Sequence, residues 1–388
     1  MVPTMKAAGL KVLVAPDSFK GSLSATEVAD RIRAGIRRAV PGADVTVAPI
    51  ADGGEGTAEV LAATLAGVWE AVVATDANGV QKPVRYFRGR TQEFGELAIV
   101  EVAEIVGLPH ALVAPGQRTT RGIGHVIRAI AERGVDTIAI GLGGSSTNDA
   151  GAGLLAETGF CFTDAQGNAL WPTLDTLDAI GAATYQRPAQ LGGVRLLGLS
   201  DVNNPLCGPN GATFVFGPQK GVQDLAAADA RLERFATRCA AIVGLDVADA
   251  QGSGAAGGIG FALRLLGAEI VPGAAFVLGA AGLDAGLGAF DWVITGEGRS
   301  DVQTMMGKGP AMIARMARQA GVPVTLLSGA VEPDAGLAEA FDGCISIQQG
   351  PVSIRFAMEH AAALLEDAAC QLARLYIAAS SQENRLDV

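Results

Sequence analysis

Cysteine chemistry has little to work with in this sequence. Five cysteines, Cys161, Cys207, Cys239, Cys344 and Cys370, are scattered over 388 residues with no CxxC pair. An odd, dispersed set supports neither a disulfide framework nor a tetrahedral zinc site, and it suits a reducing cytoplasm. Histidine is scarcer: His110, His125 and His360 each stand alone. Without GxSxG or HExxH, a Ser-His-Asp hydrolase and a zinc protease are poorly supported, and without GxxxxGK[ST] the chain is not a P-loop enzyme. Long apolar runs are missing too. The longest, residues 270–283, contains a proline and three glycines and falls short of the roughly 18 residues that read as a membrane helix. The apolar stretch at 12–15 is too short for a signal peptide. Positive charge is in deficit: 29 Lys and Arg against 40 Asp and Glu give a net charge of −11. Such a surface repels nucleic acid and anionic lipid, although a local nest of amides and cations can still bind a small anion.

Glycine is abundant, at 52 residues, about 13% against a norm near 7%. No Gly-x-y period accompanies it, so the excess marks tight turns and close backbone approaches. Hydrophobic residues make up 49% of the chain and charged residues 18%, enough apolar surface for two or three domains. The segment KVLVA (11–15) reads as a buried strand. Ser24-Ala25-Thr26-Glu27 is a capping box that opens an amphipathic helix. A second strand (44–50) and a second helix (57–66) complete a β-α-β-α start. The runs 68–75, 80–87 and 96–103 are then strand-like with little helix between them, and Asn78-Gly79 is a hairpin turn. The βαβ rhythm returns at 291–295, with Pro310 and Gly321 bracketing a helix, strands at 323–328 and 344–347, and a last helix over 352–376. These patterns predict an α/β protein. Residues 1–75 and 286–388 form a discontinuous domain with a Rossmann- or flavodoxin-like parallel sheet, residues 76–285 form an inserted α/β domain, and the site occupies the cleft between them.

Five polar clusters fall at or near predicted strand ends, where parallel sheets bind ligands: PDSFKGSLSA (16–25), ADGGEGT (51–57), GLGGSSTNDAG (141–151), SDVNNPLCGPNGAT (200–213) and TGEGRSD (295–301) with Lys308 close behind. GLGGSSTNDAG is the sharpest. Glycines free backbone amides, a short helix follows, and Ser145, Ser146 and Thr147 add donors, so with Gly143 and Gly144 this loop reads as a phosphate cradle, with an ordinary tight strand–helix turn as the plain alternative. A bulky residue at Gly143 or Gly144 is expected to block the phosphates and spare the fold. Lys20, after Asp17 and Ser18, reads as a charge neutraliser, with a solvated surface lysine as the plain alternative. Asp52 and Glu55 offer a metal ligand or a base, or only loop carboxylates. Asp201 with Asn203 and Asn204 suits substrate hydroxyls or a metal, or an Asx turn. Glu297, Arg299 and Asp301 share one turn, as part of a site or only as a surface salt bridge. A dinucleotide-type match at 252–257 follows helix and loop and lacks a downstream acid, so NAD binding is not expected. A phosphate cradle with carboxylates and lysines, and no histidine relay, points to phosphoryl transfer.

The same segments, with FGPQKG (216–221) and GSGAAGGIGFAL (252–263), resemble in their order the bacterial type-1 glycerate kinase family across residues 11–376. The resemblance implies two α/β domains, one inserted in the other, and phosphorylation of D-glycerate by ATP with Mg²⁺, most often to 2-phosphoglycerate. The expected partners are those two small molecules, bound by a cytoplasmic monomer or homodimer. Asp201, Lys20 and Asp52 are the catalytic candidates, with Asp201 favoured as proton acceptor. Asp17, Ser18, Asn203, Asn204 and Arg299 are the substrate contacts, and Asp52, Glu297 and Asp301 stand on the metal side. The competing readings are 3-phosphoglycerate as product, a two-lobed anion-binding protein without catalysis, and a hydroxy-acid dehydrogenase.

Overall fold

The structure, a computed structural model, describes residues 9–51, 53–282, 286–306, 309–333 and 336–386. Asp52 and Lys308 lie outside the described residues. The chain is α/β and divides into two compact units, Met1–Asp52 with Val277–Val388, and Gly53–Phe276.

In the first unit, Val12, Leu13 and Val14 are fully buried, because a central parallel strand is covered by helices on both faces. Five parallel strands run across the sheet in the order Gly343–Ser346, Val324–Ser328, Trp292–Thr295, Lys11–Val14, Asp44–Val47. Numbered along the chain within this unit, that is the order 2-1-3-4-5 read from the Asp44–Val47 edge, and the winding direction reverses between Lys11–Val14 and Trp292–Thr295. One face packs Val12, Val14 and Ile294 against Val28, Ile32 and Ile36 of the helix Ala25–Ala39. The Ser24–Glu27 capping box starts that helix as its sequence predicts: Ser24 Oγ accepts from the Glu27 amide, and the Glu27 carboxylate accepts from the Ser24 amide at 2.8 Å. Gly35 lets the long helix Ala361–Leu386 close in, since a Cβ there would lie 2.8 Å from the Ala369 Cβ. The other face packs Leu13, Val293 and Leu326 against Ile313, Ala314 and Ala317 of the helix Gly309–Gln319. The single terminal helix expected from the sequence is two, Ile354–Glu359 and Ala361–Leu386, separated at His360.

The second unit holds a six-stranded sheet in the order Glu269–Val271, Arg195–Leu199, Thr137–Gly141, Gly95–Glu101, Gln81–Thr91, Gly67–Thr75. The first four strands are parallel and the last two pair antiparallel. The predicted hairpin turn is present, with Gly79 at φ +83° and the Asp76 carboxylate accepting from the Asn78 and Val80 amides. A small antiparallel pair, Phe160–Thr163 with Ala182–Tyr185, went unread in the sequence; Phe160 and Phe162 anchor it in the core.

Candidate active site

In the first unit, the loops that follow two adjacent strands are fastened together at the point where the sheet reverses direction. The Asp17 amide donates to the Gly296 carbonyl at 2.8 Å, and Thr295 Oγ1 donates to the Ala15 carbonyl at 2.7 Å. Gly298 eases this approach: a Cβ there would sit 3.2 Å from the Phe19 Cα, and the backbone would have to give slightly. The result is a cavity of about 470 Å³ whose lining includes Asp17, Ser18, Lys20, Glu297, Arg299 and Asp301. Six candidates drawn from two distant stretches of sequence thus meet in one place. Asp17 is buried and its carboxylate accepts from the Ser18 amide at 2.6 Å. Glu297 is buried as well, and its Oε1 accepts from Thr304 Oγ1 at 2.6 Å and Ser300 Oγ at 3.4 Å. Those bonds hold the TGEGRSD turn in shape. Lys20 is exposed at the rim. Arg299 is also exposed, 3.8 Å from the Asp301 carboxylate and 3.5 Å from that of Glu332. Ion pairs that loose in water contribute little to stability, which leaves Arg299 able to turn toward an anion.

In the second unit, the loop that follows Thr137–Gly141 is built around a buried cation that sequence reasoning missed. Lys220 is 4% exposed, and its Nζ donates to Ser145 Oγ at 2.9 Å and to the Thr147 carbonyl at 2.7 Å. Burial lowers its pKa to about 7, Asp149 opposes that shift, and Arg118 adds to it. Arg118 donates to the carbonyls of Ser146, at 2.9 Å, and Lys220, at 2.8 Å. Asp149, fully buried, accepts from Thr120 Oγ1 at 2.8 Å; burial pushes its pKa up to about 6, partly offset by that bond and by backbone amides. Ser146 Oγ donates to the Val106 carbonyl at 2.7 Å. Two of the three predicted phosphate donors, Ser145 and Ser146, therefore take part in holding the loop itself. The Thr147 hydroxyl and the Asn148 carboxamide oxygen are buried with no hydrogen-bond partner among the described residues, and each can take a water or a ligand atom.

The two cradle glycines face protein. A Cβ on Gly143 would lie 2.6 Å from the Gly54 Cα, and one on Gly144, at φ +72°, 3.0 Å from the Ala103 Cβ. A side chain at either position would displace backbone or a helix residue before it met a phosphate, so the steric block expected from the sequence is not what such a substitution would test. Gly54 belongs to the ADGGEG loop, and a second missed residue, Glu101, organises that loop. The Glu101 carboxylate accepts from the Gly56 amide at 3.0 Å and the Ala58 amide at 2.8 Å, at the start of the helix Thr57–Thr64. Burial raises its pKa to about 7 against those two stabilising bonds. The available signals were an acid inside the apolar run 96–103, and a lysine set between glycines in FGPQKG.

Asp201, Asn203 and Asn204 follow the strand Arg195–Leu199. Asp201 Oδ1 accepts from the Gly273 amide at 2.9 Å, at the start of the helix Gly273–Ala280. Asn204 Nδ2 donates to the Asn210 carbonyl at 2.7 Å, bracing its own loop, and Asn203 is exposed.

Comparison with known proteins identifies the family. The profile of the Glycerate kinase family matches residues 12–377. The glycerate kinase of Bacillus subtilis (strain 168) is 38% identical over 374 residues, 94% of this chain and 97% of that protein. The glycerate 2-kinase of Escherichia coli (strain K12) is 38% identical over 337 residues, 84% of this chain and 87% of that protein. A crystal structure from Salmonella typhimurium LT2, of a protein provisionally named glycerate kinase 2, superposes with a TM-score of 0.83 at 36% identity, covering 96% of this chain and 99% of the other.

Proposed function

The chain belongs to the glycerate kinase family, and from that premise we propose that it transfers the terminal phosphoryl group of ATP to D-glycerate, giving 2-phospho-D-glycerate and ADP. The observation that carries this reading is the family match over residues 12–377, which runs through both compact units. The first unit supports it with a cavity at the switch point of a 2-1-3-4-5 sheet, where doubly wound sheets bind their ligands.

Phosphoryl transfer asks for positioning, charge neutralisation and a group that receives the hydroxyl proton. Lys20 and Arg299 are assigned to neutralise negative charge, with Asp17 and Ser18 shaping the same wall. Residues 143–147 are assigned to a phosphate through the Thr147 hydroxyl and backbone amides other than that of Ser146, which donates to the Val106 carbonyl at 2.9 Å; Lys220 and Arg118 hold the loop. Asp201 is the preferred proton acceptor: the Gly273 amide fixes its carboxylate, and Asn203 and Asn204 beside it can orient the two glycerate hydroxyls. Mg²⁺ is bound in kinases by one or two carboxylates together with phosphate oxygens and water. Among the described residues no set of three or more His, Cys, Asp or Glu is placed to hold a metal, and the pair Glu297 and Asp301 on the cavity wall fits the smaller requirement. Glu297 and Asp301 would hold the ion, with Asp52 assigned to the same metal from the sequence alone, and the bound ion would neutralise phosphate charge.

Phosphorus NMR of the product from ATP and D-glycerate tests the proposal. The expected signal is a phosphoester on C2. A phosphoester on C3 would correct the product, and no phosphoester at all would overturn the assignment.

A further inference from the structure

The first unit's cavity is larger and more apolar than a three-carbon hydroxy acid needs. D-glycerate is a carboxylate with two hydroxyls and has almost no apolar surface. The cavity measures about 470 Å³, within the ~300–1,000 Å³ typical of pockets for much larger ligands. Its lining includes charged residues, but also Ile347, Ile354, Ala357, Met358 and Ala361, with Gln348 among them. Charged or hydroxylated groups placed against such a wall lose hydration and gain no partner. A flat, weakly polar ring does fit: it covers aliphatic side chains and leaves its edge for an amide such as Gln348.

The wall also exposes more apolar surface than a finished core would. Ile354 is 79% exposed and Met358 42%, both on the short helix Ile354–Glu359. That helix is fastened to the loop that carries Lys20: Ser22 Oγ donates to the Met358 carbonyl at 2.9 Å, and a Cβ on Gly21 would lie 3.1 Å from Met358 Cε. Apolar wall and cationic rim are therefore one construction, at the switch point between Lys11–Val14 and Trp292–Thr295.

We propose that this cavity holds the nucleoside of ATP, with the purine ring against Ile347, Ile354, Ala357 and Met358 and the phosphate chain leading toward Lys20. The inference rests on the kinase reading and adds to it the place where the base is held.

The test uses the full-length chain and titration calorimetry with Mg·ADP and, separately, inorganic tripolyphosphate with Mg²⁺. Ala357→Trp adds bulk to the apolar part of the lining. It should weaken Mg·ADP at least about tenfold, leave tripolyphosphate within about twofold, and leave the KM for D-glycerate within about twofold. Ile354→Glu, on an exposed position where folding is not at stake, should weaken Mg·ADP in the same way. Unchanged Mg·ADP affinity in a folded variant overturns the proposal. A loss confined to D-glycerate, with Mg·ADP unaffected, also overturns it and gives the cavity to the acid. Because Mg·ADP binding is read without D-glycerate, a wild-type protein that binds Mg·ADP but never turns over D-glycerate would defeat the kinase reading and leave the cavity assignment standing.

Discussion

Lys20 stands exposed at the rim of a cavity, whereas Lys220 is buried beneath residues 145–147. Burial separates their tasks. A rim cation can strengthen its contact as charge develops on the transferring group, and removing one such donor typically lowers kcat by ~10²–10³. Lys20→Ala should therefore lose at least about 100-fold in kcat/KM; a loss under about threefold returns Lys20 to an ordinary surface lysine. Lys220 should show itself in stability against pH. Its pKa falls from 10.5 to about 7 in the folded chain, through burial first, with Arg118 adding and Asp149 opposing. Between those two values the unfolded chain binds the extra proton, so this residue's contribution makes the protein more stable as pH rises from about 7 to 10.5. Glu101 has the opposite sign. Its folded pKa is raised from 4.5 to about 7, so the folded chain holds the extra proton and stability falls as pH climbs through that window. Melting temperatures across pH 5–10 check both: Lys220→Met should reduce the upper rise, and Glu101→Gln should reduce the lower fall, to which Asp149, raised to about 6, also contributes. Slopes unchanged in both variants would mean that neither burial shifts its group.

At the scale of elements, Gly143 and Gly144 differ in what a methyl group would do. Gly144 has φ +72°, a left-handed conformation that costs an L-residue about 1–2 kcal/mol. Gly143→Ala instead pushes its Cβ onto the Gly54 backbone at 2.6 Å, so the ADGGEG loop must move. Gly144→Ala should lower stability by about that 1–2 kcal/mol with a modest effect on kcat, while Gly143→Ala should lower kcat at least about tenfold for a similar stability loss. Chemical denaturation together with steady-state rates separates the two; equal kcat values would mean that the loop–loop contact has no bearing on catalysis. The sequence disclosed whatever is set locally. The Ser24–Glu27 capping box, the Asn78-Gly79 turn and the buried runs at 11–15 and 291–295 depend on neighbours in the chain, and the structure has them. The strand-end rule likewise brought Asp17, Ser18, Lys20, Glu297, Arg299 and Asp301 toward one wall. What stayed hidden depends on distant partners. Nothing near Lys220 says that Ser145 and Thr147 will enclose it from more than 70 positions away. Periodicity in Phe160–Thr163 cannot name its partner Ala182–Tyr185. The division of the final helix at His360 went unread as well.

At the scale of the whole molecule, the charge balance bears on how anionic substrates are held at all. The chain carries a net charge of −11, and the cavity repeats that bias locally, with Lys20 and Arg299 facing Asp17, Glu297 and Asp301. Two cations against three carboxylates cannot by themselves neutralise a polyphosphate. A free nucleotide should meet repulsion both from the molecule's field and from the carboxylates on the wall. A divalent cation reverses this by turning those carboxylates into ligands. ADP in excess chelator should accordingly bind at least about tenfold more weakly than Mg·ADP. Salt should then act with opposite emphasis on the two forms. Raising ionic strength to 0.15 M shortens the Debye length to about 8 Å, which screens the repulsion and should strengthen metal-free ADP binding, while Mg·ADP should change by less than about twofold. Calorimetry at two salt concentrations, with chelator and with Mg²⁺, reads all four values. Metal-free ADP that binds as tightly as Mg·ADP and weakens with salt would show that Lys20 and Arg299 dominate the field, and that Asp301 has no metal to hold.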